Sequence, residues 1–209
     1  MQSRYFTTLL QFVLQDERYN TEMSTAKREF EQMAGPIFAT DRGYDARINS
    51  FHNWYILDRT LRFNAKTPLT YFLEYNANSL SPSELGEYRA LQENTHSVFQ
   101  LSRLTRFHTH LVDLISGARF KVEGVEDTGT LDRGALFNAR LFCHGGKYYL
   151  SNYFIMHPAE VTRQVRKRAK RLRKEQADPK QFLFRLLLYQ SRWEQYKQMD
   201  VEAIYRLAE

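Results

Sequence analysis

The spacing of apolar residues changes near Ser97, and this change constrains the fold more than any other feature of the sequence. Before it, apolar side chains recur every three to four residues, as on one face of an α-helix. After it, they alternate with polar residues over short runs bounded by turn residues, which is typical of β-strands. Residues 158–209 return to helical spacing. The sequence therefore predicts an α+β protein with a small sheet between two groups of helices.

Residues 1–95 are predicted to form the N-terminal helical region. Ser81 is followed by a proline and, three residues on, by Glu84, which is a capping-box pattern for the start of a helix. Thr67 also stands before a proline and should cap another helix. The glycine–proline pair at 35–36 should end an earlier one.

Residues 96–157 are predicted to form a small five-stranded antiparallel, barrel-like sheet. The expected strands lie at residues 98–104, 108–115, 118–124, 135–144 and 147–155. Gly145 and Gly146 join the last two, and such a doublet is a strong hairpin signal. The size matches that of SH3-like or OB-like barrels. Residues 158–209 complete the fold with C-terminal helices, one of them strongly basic, which are expected to form one compact unit with the rest.

An aromatic block at residues 48–59 ends in Asp58 and Arg59. One interpretation is a buried helix whose end is held by hydrogen bonds of these two side chains. The other is that Asp58 or Arg59 contacts a ligand. The residue pattern leaves both open.

Three segments carry a resemblance to a known group of proteins: the block at 54–59, the helix start at 67–72, and the hairpin at 112–117 followed by Val122. In this order and spacing, they resemble uncharacterised bacterial proteins, some of which bear a small C-terminal SEC-C zinc motif. The resemblance covers about residues 45–156 and implies no particular activity. Cys143 is the only cysteine, so this chain cannot build that zinc site.

The basic segment at residues 162–174 carries eight of the chain's positive charges and no acid. Because the formal net charge of the whole chain is +6, the remainder carries −2. In a helix most of these cations share one side. The residues expected to bind an anion are Arg163, Arg166, Lys167, Lys170, Arg171, Arg173 and Lys174. The apolar positions on the other side are Val161, Val165, Ala169 and Leu172.

Eight like charges within about three helical turns repel one another, so a compensating group is expected. A solvated helix face is the simplest interpretation, and acids elsewhere in the fold are another. An external polyanion is the third, with nucleic acid first because Lys and Arg neutralise phosphates and release counterions. Tyr148, Tyr149 or Tyr153 could then supply stacking surfaces. An acidic protein surface fits the same charges, whereas the apolar side is thin for a membrane-bound helix.

Other kinds of site have weaker support. Arg103 and Arg106 are one residue too close for the arginine pair of PilZ-type cyclic-dinucleotide receptors, and the segment from Asp113 to Gly117 also has the wrong spacing. His108 and His110 share a strand face but have no third metal ligand nearby in the sequence. None of the familiar catalytic or nucleotide-binding motifs occurs.

We expect a cytoplasmic protein, since neither a signal peptide nor an apolar stretch of about 20 residues is evident. Because the familiar catalytic and nucleotide-binding motifs are missing, we also expect it to be non-enzymatic and without a cofactor. Its expected activity is binding of RNA or DNA through the basic helix. The alternatives are a protein–protein adaptor or structural module with an acidic partner, and a sensor of cyclic dinucleotides or other small anions.

Overall fold

The sheet is inserted between two groups of helices, as the change of periodicity predicts. A computed structural model of the chain describes residues 2–15, 17–123 and 132–206. The helices in these ranges are α1 (Gln2–Gln15), α2 (Glu17–Ala34), α3 (Tyr44–Leu57), α4 (Pro68–Asn76), α5 (Pro82–Gln92), α6 (Thr162–Glu175), α7 (Lys180–Gln195) and α8 (Val201–Ile204). The strands are β1 (Asn94–Leu104), β2 (His108–Asp113), β3 (Arg119–Glu123), β4 (Leu136–His144), β5 (Lys147–Leu150) and β6 (Ile155–His157).

Local sequence signals set several helix ends. The Thr67 side chain accepts a hydrogen bond from the Thr70 amide at the start of α4. Ser81 and Glu84 make the predicted reciprocal capping box at the start of α5. Gly35 follows the end of α2 with φ +87°, a conformation that side chains other than glycine rarely adopt. These three predictions are confirmed.

The six strands form one mixed sheet in the order β1-β2-β3-β5-β4-β6, with an additional pairing of β1 to β4. β3 pairs with β5 in parallel, at Val122 and Tyr148, and the other pairings are antiparallel. A bulge interrupts the β1–β2 register between Leu101 and Arg103. The α+β class is confirmed.

The prediction of five antiparallel strands is wrong in two respects. The parallel β3–β5 pairing makes the sheet mixed. The last predicted strand is also divided, into β5 and β6. Between them, the Ser151 hydroxyl accepts from the Arg140 amide at 3.2 Å and donates to the Tyr153 carbonyl at 2.9 Å. Position 124, predicted as a strand end, lies outside the described residues.

Three clusters of buried apolar side chains hold the elements together. The largest joins α1–α5 and also takes in Phe142, Ile155 and Phe184 from β4, β6 and α7. A second lies between α6, α7 and the side of the sheet that carries Val98 and Leu136, which we call the outer side. A third lies on the opposite side, which we call the inner side, with Phe99, Phe137 and other strand residues. Among the described helices, none has both the length and the apolar character needed to cross a bilayer.

Just after α3, Asp58 joins the N-terminal helices to the sheet, and Arg59 binds to α2 within the helical region. The Arg140 guanidinium of β4 donates Nη1 to Asp58 Oδ1 at 3.2 Å and Nη2 to Asp58 Oδ2. Arg59 donates to Glu29 at 2.7 Å and to Glu22 at 2.8 Å. These contacts agree with the first interpretation of the pair, in which both side chains form hydrogen bonds at the end of the helix.

Two histidines are held in environments that disfavour their charged forms. His157 places Nε2 2.9 Å from Asn138 Oδ1 and Nδ1 3.0 Å from the Tyr205 hydroxyl. Burial lowers the pKa of His157 to about 3. Burial, and then the positive charge of Arg140, lower the pKa of His96 as well. Both side chains are therefore neutral at pH 7.

Replacing Asp58 by Ala should lower the free energy of unfolding by about 2–4 kcal/mol, because the buried Arg140 charge loses its anionic partner. Urea denaturation at pH 7 measures the change. Glu74→Ala is the matched control: it breaks the exposed Lys66–Glu74 ion pair and should cost much less, because solvent screens the two charges. Equal losses in the two variants would contradict the structural role of Asp58.

Stability should also fall as the pH drops from about 6.5 towards 3, because the unfolded chain then binds a proton that folded His157 does not. The lowered pKa of His96 acts in the same direction. His157 contributes up to about 1.4 kcal/mol per pH unit in this window. His157→Gln should reduce the slope of unfolding free energy against pH between about pH 6.5 and 4.5, measured by urea denaturation at several pH values. An unaltered slope in His157→Gln would show that this histidine titrates normally.

Candidate nucleic-acid interface

The basic helix α6 is fixed to the fold by its apolar side. A short 3₁₀ turn, Ala159–Val161, leads into it. Val165, Ala169 and Leu172 lie on successive turns and are buried in one cluster with Val98 and Leu136 of the sheet. The predicted apolar stripe is thus the surface by which α6 packs, and its cations are turned outward.

Seven of the eight basic side chains of α6 are exposed, and Arg168 is half-buried. Each candidate anion-binding residue is in the exposed group: Arg163, Arg166, Lys167, Lys170, Arg171, Arg173 and Lys174. At about 1.5 Å rise per residue, positions 163 to 174 extend over about 16 Å of helix. The structure therefore brings all the predicted site residues together on one exposed surface, which we call the α6 face.

Contacts within the fold hold several of these cations in place. Arg171 Nε donates to Glu175 Oε1 at 2.8 Å, one turn further along the helix. Arg166 Nε donates to Gln100 Oε1 of β1 at 2.8 Å, and its Nη2 donates to the same oxygen. The Arg173 guanidinium lies against Gly117, where an added Cβ would overlap Nη1. The Gln100 amide is neutral, so it positions Arg166 without cancelling its charge.

The electrostatic effect of the cluster is visible at Glu175. The hydrogen bond from Arg171 is the largest cause that lowers the pKa of this carboxyl group, and the positive charges of Arg171, Arg168 and Lys174 lower it further. Arg173 and Lys174 lie in the last helical turn, where the negative end of the helix dipole favours cations. The helix can therefore hold these charges close together and still fold.

Comparisons of the chain with protein-family models, with curated proteins and with solved structures give no match. The resemblance to SEC-C-related bacterial proteins remains a prediction. The function of the protein is therefore inferred from the geometry and charge of the described residues.

The other candidate sites lie on the sheet or next to it. His108 and His110 both lie on β2, and His108 Nδ1 is 3.7 Å from Glu123 Oε2. Within the described residues, no group of three or more His, Cys, Asp or Glu side chains could hold a metal ion. Arg103 is at the end of β1 and Arg106 in the loop that follows, both exposed. The segment from Asp113 to Gly117, whose spacing departs from the cyclic-dinucleotide motif, comprises the last residue of β2 and the turn that leads towards β3.

The predicted tyrosine stacking surfaces have different environments. Tyr148 packs edge-to-face on Phe120, with ring centroids 4.9 Å apart, and lies against the inner cluster of the sheet. Tyr149 is half-buried, and Tyr153, 45% exposed, lines a pocket together with residues of α1 and α3. The structure instead exposes 71% of Phe107, in the loop between β1 and β2. Its position in a short turn between two predicted strands was a usable signal that the sequence interpretation missed.

Leu172→Ala should lower the free energy of unfolding by about 2–4 kcal/mol, since it removes a buried side chain that anchors α6. Lys170→Ala, two residues away on the exposed side, should change it by no more than about 0.5 kcal/mol. Thermal and urea denaturation of the two variants measure the difference. A larger loss from Lys170→Ala than from Leu172→Ala would contradict the orientation of α6 described above.

Proposed function

We propose that the protein binds nucleic acid, without catalysis, through the α6 face. The observation that carries the proposal is a helix whose apolar side is buried in the fold while seven basic side chains are exposed on the outside. A rigid row of Lys and Arg side chains neutralises backbone phosphates and gives an affinity that depends on salt more than on sequence.

The burial of the apolar stripe also weighs against a membrane-surface role. A helix that lies in a membrane interface inserts its apolar face among the lipids. In α6 that face, at Val165, Ala169 and Leu172, is already occupied by the sheet and α7. The exposed surface of the helix consists mainly of charged side chains, which suits a hydrated polyanion.

We also infer that the sheet is barrel-like. β1 pairs with β2 at one edge and with β4 at the other, so the pairings β1-β2-β3-β5-β4-β1 form a continuous ring. Small barrels with five strands include folds that bind oligonucleotides on their outer surface. This inference supports nucleic acid over an acidic protein as the partner, because α6 packs on the outer side of the same sheet.

The affinity for a random-sequence DNA of about 20 base pairs or an RNA of about 20 nucleotides should fall steeply between about 50 and 300 mM salt. Replacing Arg163, Lys170 and Lys174 by Gln should make the slope of log K against log salt about 2.7 shallower for the duplex, because about 0.9 counterion is released per phosphate contact. Affinity at about 100 mM salt should fall at least about tenfold. Fluorescence anisotropy with labelled probes measures both quantities.

The matched control replaces Arg28, Arg42 and Arg89, three exposed cations of the N-terminal helical region, by Gln. Both triple variants have a formal net charge of +3, against +6 for the original chain. Only the α6 variant should lose affinity. Equal effects in the two variants, or no measurable binding by the original chain at about 50 mM salt, would refute the proposal. An acidic protein retained in a pull-down after nuclease treatment would then favour the adaptor alternative.

A further inference from the structure

A second cationic surface lies on the outer side of β1, β2 and β3, and its residues are aligned by the strand register. Arg103 of β1 pairs with His110 of β2, which in turn pairs with Lys121 of β3. Arg103 and Lys121 are exposed, and His110 is half-exposed. Directly paired residues point to the same side of a sheet, so the three side chains form one row across three strands.

The alternation along β2 shows which side of the sheet this is. Thr109, Leu111 and Asp113 are buried, whereas His108 and His110, which point the other way, are half-exposed. Leu111 belongs to the inner apolar cluster. The row of Arg103, His110 and Lys121 is therefore on the outer side. Glu123 lies at one end of this surface, 3.7 Å from His108, and limits the positive region there.

An exposed aromatic ring lies in the loop that joins β1 to β2, close in sequence to Arg103 and His110. Phe107 is 71% exposed, and the Arg106 Cζ lies 5.6 Å from the centre of its ring. The loop is short, and its two ends are hydrogen-bonded to each other. The Thr105 amide donates to the His108 carbonyl at 2.9 Å, and the His108 amide donates to Thr105 Oγ1 at 3.0 Å. The fold thus exposes a large apolar ring, beside cations, on a loop whose ends are hydrogen-bonded together.

The α6 face adjoins this surface. Arg166 bonds Gln100 of β1, whose register partner on β2 is Val112. Val112 and His110 are two residues apart on β2, so Gln100 and the cationic row are on the same side of the sheet. One such step along a strand is about 7 Å. The backbone of a nucleic acid bound to the α6 face would therefore need only one or two more nucleotides to reach the cationic row.

We infer that the outer surface of β1–β3, with Arg103, Phe107, His110 and Lys121, binds single-stranded nucleic acid as a continuation of the α6 face. This inference rests on the proposed function and specifies its substrate. Cationic side chains beside an exposed ring match a strand whose phosphates and bases are both accessible, since bases stack on aromatic rings. In a duplex the bases are already stacked on one another, so Phe107 would gain little from it.

The test compares labelled single strands, an oligouridylate and an oligothymidylate of about 20 nucleotides each, with a duplex of about 20 base pairs. Phe107→Ala should weaken binding of the single strands by about 5- to 150-fold, the range expected for loss of one stacked base, and change duplex binding less than about twofold. Phe38→Ala, which removes another exposed phenylalanine on a loop after α2, is the control and should have no effect on any probe.

The charges of the row are tested separately. Replacing Arg103 and Lys121 by Gln should make the salt slope for the single strands shallower by about 1.4, at about 0.7 per phosphate on a single strand. Arg28→Gln with Arg42→Gln removes the same charge from the helical part and should leave that slope unchanged. Circular dichroism and urea denaturation verify that each variant is folded.

The outcomes separate the two proposals. If the triple α6 variant loses affinity while Phe107→Ala binds single strands within about twofold of the original chain, the proposed function stands and the sheet surface is refuted. The sheet surface is likewise refuted if Phe107→Ala weakens duplex and single-strand binding equally. If the original chain binds none of the probes, or the triple α6 variant binds them normally, both proposals fail.

Discussion

The burial of one side of α6 is the interaction on which the rest of the structure's charged surface depends. Val165, Ala169 and Leu172 pack against the sheet and α7, and this contact offsets the cost of bringing eight like charges together on one helix. It also fixes their direction, because a helix buried on one side must expose the other. The same residues thus determine that α6 folds and that its cations are presented to solvent.

The sheet extends this arrangement beyond a single helix. Gln100 accepts hydrogen bonds from Arg166, and the Arg173 guanidinium packs against Gly117. On the outer side of the sheet, the register of β1 and β2 places Arg103 further along the same surface. The contacts of Arg166 and Arg173 join elements far apart in sequence, so the continuity of the positive surface depends on tertiary structure. The link between Asp58 and Arg140 has a different role, since it holds the helical region against β4.

Features determined by neighbouring residues were predictable from the sequence. The capping box at Ser81, the helix end at Gly35 and the two-sided nature of α6 depend on side chains within one or two turns of each other. The division of the last strand at Ser151 and the parallel β3–β5 pairing were not predictable, because they depend on contacts with residues elsewhere in the chain. The Arg166–Gln100 bond joins positions 66 residues apart and gives no local signal.

The most direct test of the central claim is a residue-by-residue map of the surface that contacts nucleic acid. An NMR titration of the ¹⁵N-labelled full chain with a single strand of about 20 nucleotides gives this map through changes in amide chemical shift. We predict that the largest changes fall on residues 163–174, with further changes on β1, β2 and β3. Changes confined to α1–α5, or spread evenly over the molecule, would contradict binding through the α6 face.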